Sequence, residues 1–84
     1  WLNIIQVDKN LFGKDKNSII KDFIKKNIFV RPIWYPNHLQ KMYKKNQCFK
    51  IKNANILHNN SICLPSSYNL RKSDLKDIIN VLNG

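Results

Sequence analysis

An α+β fold, with a small antiparallel or mixed sheet covered by helices on one face, follows from three observations on this sequence. Two segments carry apolar residues at helical spacing: Ile19, Ile20, Phe23 and Ile24, then Leu75, Ile78, Ile79 and Leu82. Three short runs, 2–7, 28–34 and 62–64, are rich in isoleucine, valine and aromatics, the composition of strands. Helical and β-rich runs are interleaved along 84 residues, enough for one small domain, 1–84, with helices layered on a sheet.

The first strand runs over 2–7 and closes at Asp8. Residues 8–13 read as a turn, with Leu11 and Phe12 tucked back against the core. Asp15 then caps a helix over 16–26, because its carboxylate can accept from backbone N–H groups of the first turn. Asn27 supplies the left-handed residue that ends it. The run 28–34 is a second strand. A short helix over 38–44 follows Pro36. Residues 47–52 read as loop or edge strand, and 54–58 as a short helix. Ile62 to Leu64 form a brief buried strand stopped by Pro65, which has no N–H to offer a sheet. Ser73 caps the last helix, ended by Asn83-Gly84.

Composition narrows the function. The net charge is +10, which would draw the chain to phosphate backbones, and a free-standing basic module for nucleic acid or an acidic partner is one reading. Thirteen of the fifteen cations are lysines spread along the chain, glutamate is absent, and lysine, asparagine and isoleucine abound. That is the pattern of a solvated face in a biased composition, with Lys25-Lys26 and Lys44-Lys45 the clusters best placed for phosphate. Cys48 and Cys63 lack paired metal-ligand spacing and could form a zinc set with His38 and His58 only by tertiary accident, so no metal site is expected. Cys63, in an apolar run, reads as a small buried hydrophobe. A reducing cytoplasm is the expected compartment. No apolar run approaches the roughly 20 residues of a membrane span.

The segment Arg31-Pro32-Ile33-Trp34-Tyr35-Pro36-Asn37-His38-Leu39-Gln40 carries the chemistry. Each proline fixes its own φ and biases the residue before it towards extended backbone, so the run is stiff. A stiff run bearing a guanidinium, flat rings and an imidazole suits a polar, anionic ligand. Plain structural readings stand beside it: Arg31 paired with an aspartate, Trp34 in the core, His38 satisfied by backbone at a helix start, Met42 and Tyr43 packed beneath the loop.

With Met42-Tyr43 and Cys63-Leu64-Pro65-Ser66-Ser67 downstream, this order of short matches resembles the C-terminal part of sugar-nucleotide aminotransferases of the DegT/DnrJ/StrS type. The resemblance implies the small domain of an aspartate-aminotransferase (type I) fold, here a C-terminal piece of a larger enzyme. It implies pyridoxal phosphate as cofactor, glutamate and a keto-deoxy sugar nucleotide as substrates, a homodimer, and a role in surface glycan synthesis. It places the Schiff-base lysine outside these residues, so that the chain alone would be inactive. A dehydratase of the same fold is a further possibility. Carried over by position, Arg31, Trp34, Tyr35 and His38 are the substrate-binding candidates: Arg31 for a carboxylate or phosphate, Trp34 and Tyr35 as walls, His38 for the sugar. Three positions depart from the family pattern. Lys41 stands where a proline is common, Val30 where a threonine precedes Arg-Pro, and Arg71 where a threonine caps the last helix.

Overall fold

The last strand in sequence is the middle strand of the sheet. In the computed structural model, which describes residues 1–84, β1 (Asn3–Gln6) and β2 (Arg31–Pro32) flank β3 (Ser61–Leu64), and both pair antiparallel to it. Ile62 lies opposite Ile5 on one side and Pro32 on the other, while Cys63 lies opposite Ile4 and Arg31. Side chains alternate across a sheet, so these two rows point to opposite faces.

The Ile62 row faces the core. There α2 (Lys16–Lys25) and α4 (Lys72–Asn83) bring Ile19, Phe23 and Ile78 onto Val7, Val30 and Ile62, with Ile5, Ile20, Ile28, Leu64, Val81 and Leu82 packed around them. Phe23 and Ile62 are 0% exposed. Asp15 caps α2 as expected, accepting from the Ser18 backbone N–H at 2.9 Å, and Asn27 ends it at φ 56°.

Several elements differ from the sequence expectation. Residues 8–13 form a helical turn, α1 (Lys9–Phe12), because the Asp8 carboxylate accepts from the Asn10 and Leu11 backbone and Gly13 closes the turn at φ 89°. That geometry throws Leu11 outward, 88% exposed, and leaves Phe12 exposed too. The strand expected over 28–34 shrinks to Arg31–Pro32, since β3 offers only four residues and Pro32 cannot donate. In place of a helix over 38–44, a 3-10 turn spans Asn37–Leu39, followed by turns closed by Tyr43 N–H on the Gln40 carbonyl and Asn46 N–H on the Tyr43 carbonyl.

The helix expected at 54–58 extends over α3 (Asn53–Asn60) and runs directly into β3. The Asn60 carbonyl at that junction accepts from Val7 N–H at 2.7 Å, which ties α3 to the end of β1. The last helix begins before Ser73. Its N-cap stays at Arg71, because the Asp74 carboxylate reaches back to the Arg71 backbone N–H at 2.8 Å and to its guanidinium at 3.3 Å. Only part of each expected stripe is buried: Ile24, Leu75 and Ile79 face outward. Cys63 is half-buried on the face away from α2 and α4, so it is not a core residue.

The domain is thinly packed. Its radius of gyration is 15.0 Å, against about 12 Å for a compact chain of this length. Its accessible surface is 7188 Å² for 10.0 kDa, roughly 1,900 Å² above the size expectation for a folded monomer. Much of the excess is apolar, including Trp1, Phe29, Trp34, Met42 and Phe49. No helix is long and apolar enough to cross a membrane.

Candidate functional site

The segment from Arg31 to Gln40 leaves the sheet at its β2 edge and is held open by its own polar groups. Gln40 Nε2 donates to the Tyr35 carbonyl at 3.1 Å and to Asn37 Oδ1 at 3.3 Å, and the Gln40 N–H donates to the Asn37 carbonyl. With Pro32 and Pro36 fixing φ, the loop is locked in place by three side-chain or backbone bonds around one glutamine.

Arg31 stands on the sheet face turned away from the helices, beside Cys63 and Ile4. Its guanidinium takes part in none of the ion pairs, which join Lys14 and Lys25 to Asp22 and Arg71 to Asp74. Asp8 and Asp15 are engaged in helix caps. The reading of Arg31 as a partner of an aspartate therefore fails, and its forked donors remain available to an incoming anion.

Trp34 is 71% exposed, which removes it from the core, and its ring sits 5.8 Å from Trp1 at a 54° tilt. Tyr35 and His38 turn instead to α3. The Tyr35 ring meets His58 edge-on, with centroids 5.3 Å apart and planes at 82°. His38 Nε2 lies 2.9 Å from Asn55 Oδ1, so this ring nitrogen is engaged by a side chain rather than by backbone. Beside His38 opens a groove walled by Pro36, Tyr43, Cys48, Ile51 and Ala54. Met42 is exposed and does not pack beneath the loop.

The structure thus brings Tyr35 and His38 against α3, places Trp34 on Trp1, and leaves Arg31 apart on the sheet. Gln40, at the end of the segment, holds the arrangement together with two residues that had no site role in the sequence reading, Asn55 and His58. Asn55 and His58 are three apart on α3, which puts them on one face, and that spacing was the available signal. Lys16 Nζ donates to the His58 carbonyl and fixes that end of α3 against α2. Among the chemical groups near the segment, no three His, Cys or acidic side chains are close enough to hold a metal ion.

Carboxyl groups with displaced acidity belong to the scaffold. The Ser18 backbone N–H holds the Asp15 carboxyl below the usual range, Lys14 does the same for Asp22, and the Arg71 backbone N–H followed by its guanidinium does so for Asp74.

The profile of the DegT/DnrJ/EryC1/StrS aminotransferase family matches residues 1–83. The chain belongs to that family. The match covers both the strand that opens the sheet and the helix that closes the chain, and it contains the whole stiff segment.

Proposed function

We propose that this chain is the C-terminal small domain of a pyridoxal-phosphate-dependent aminotransferase that moves an amino group from glutamate to a keto-deoxy sugar nucleotide. In this reading the domain supplies pocket wall, and the reactive groups lie in the rest of the enzyme. The observation that supports it is the unengaged guanidinium of Arg31 at the head of a stiff, outward-facing aromatic segment, in a member of an aminotransferase family.

The residues present do not fit the cofactor as its primary site. Eleven of the thirteen lysines are exposed; of the two that are less so, Lys14 is held by Asp22 and Lys16 by the His58 carbonyl. Gly13 lies in a helical turn and Gly84 ends α4, so no glycine-rich cradle for a phosphate exists here. What these side chains can do is bind and orient. Arg31 takes a carboxylate or phosphate in a forked contact, and Trp34 and Tyr35 offer flat walls to a sugar or base. The domain's surplus apolar surface, and the open sheet face bearing Ile4 and Cys63, suit packing against a larger partner domain of the same enzyme and its dimer mate. Pyridoxal phosphate, when bound there, would supply the electron sink for amino transfer.

The test is expression of the entire gene product. The expected result is a visible absorbance band of bound pyridoxal phosphate that disappears when a lysine outside these residues is replaced. In the same enzyme Arg31→Ala should raise the KM of glutamate or of the sugar nucleotide by about tenfold or more, as loss of a charge-assisted contact does. A folded product without the band refutes the assignment.

A further inference from the structure

The orientation of one amide determines which hydrogen bond His38 can make. The Ile51 carbonyl has only lone pairs, so the edge of the Asn55 amide facing it, Nδ2 at 3.5 Å, is the NH2. The opposite edge is then Oδ1, an acceptor, and it lies 2.9 Å from His38 Nε2. An acceptor at that distance requires a proton on Nε2. A neutral imidazole carries only one N–H, so Nδ1 keeps its lone pair. Nδ1 of His38 has no partner in the chain and is not among the buried unpaired atoms, which are His58 Nδ1 and Ser61 Oγ.

We infer that Asn55 is a positioning residue that fixes His38 as its Nε2–H tautomer, so that His38 Nδ1 accepts a hydrogen bond from a hydroxyl or amide N–H of the ligand. The inference rests on the proposed reading of His38 as a substrate contact and deepens it. A lone pair repels phosphate oxygens and carboxylates, so anionic groups are left to Arg31 and the uncharged, donor-bearing part of the ligand goes to His38. His38 thereby selects a ring with a free hydroxyl or acylamino donor over one that lacks it. An acceptor that the bound ligand covers and leaves unpaired is costly, and that cost is the source of discrimination.

Two measurements test it. Imidazole nitrogen shifts of the histidine-labelled chain at alkaline pH report the tautomer, with His38→Gln assigning the signals against His58. Wild type should show a protonated Nε2 on His38, Asn55→Leu a mixture, and Asn55→Asp a return to the Nε2–H form, since a carboxylate also accepts. A protonated Nδ1 in wild type, or a ratio indifferent to Asn55→Leu, overturns the inference. In the parent enzyme, Asn55→Leu should raise KM for the keto sugar nucleotide about five- to tenfold and leave the KM of glutamate unchanged, with Asn55→Asp restoring it. If His38→Ala raises that KM and Asn55→Leu does not, the tautomer inference falls and the pocket reading stands. If His38→Ala leaves it unmoved, both fall.

Discussion

Replacing Phe23 by alanine should come close to unfolding this domain. The ring is 0% exposed and lies in a core of six buried apolar residues that joins α2 and α4 to Ile62 of β3 and to Val7 and Val30, which flank β1 and β2. Truncating a buried phenylalanine costs about 3–5 kcal/mol. At roughly 0.05–0.15 kcal/mol per residue, 84 residues give about 4–13 kcal/mol of stability in all. A core this small, in a chain with so much exposed surface, puts the domain near the lower bound. Phe29 supplies the internal control, because it is 85% exposed and Phe29→Ala should change stability by no more than about 0.5 kcal/mol. Urea unfolding followed by far-UV circular dichroism separates the two. With a slope of about 1–1.5 kcal/mol per molar, Phe23→Ala should lower the midpoint by about 2–5 M or abolish the transition. Equal damage from the two substitutions, or an undisturbed Phe23→Ala, would refute the placement of α2 on the sheet.

Gly13→Ala should cost about 1 kcal/mol from backbone strain alone, since φ is 89° and no atom lies within 4 Å of the added carbon; a silent substitution in thermal melts would contradict that conformation. Acid should weaken the two long helices. The carboxyls of Asp15 and Asp74 are more acidic folded than unfolded, so their contribution is present above the ordinary carboxylate pKa of about 3.9 and is lost as pH falls through the lower folded value. Asp15→Asn with Asp74→Asn should therefore lower the neutral-pH Tm and flatten its acid dependence; an unchanged profile would show that the caps do not form. Random-sequence DNA on a filter should be retained weakly and released by moderate salt, as spread lysines predict, and salt-resistant retention would favour a nucleic-acid module.

Local chemistry was legible where one residue decides the outcome. Asp15 before a run of isoleucines fixed where α2 begins, and Asn27 where it ends, because each satisfies helix-terminal backbone groups by itself. Pro65 marked the end of β3 for the same kind of reason. What escaped depends on distant geometry. Leu11, Ile24, Leu75 and Ile79 have core-like identities, yet the small sheet has no room to cover them, so they stay exposed. Arg71 has no acceptor of its own and so did not read as a cap; the cap forms because Asp74, three residues on, reaches back. The segment from Arg31 to His38 announced itself through prolines and aromatics. Its anchors, Asn55 and His58, did not, because only the docking of α3 beside the loop brings them within reach.

Hydrogen exchange on the parent aminotransferase tests the central claim most directly. Adding glutamate and the sugar nucleotide should slow exchange in the peptide spanning residues 31–40 and leave α4, over Lys72–Asn83, unchanged. Protection that falls on α4 or elsewhere, with residues 31–40 exchanging as fast as in the free enzyme, would contradict the assignment of this segment to the pocket wall.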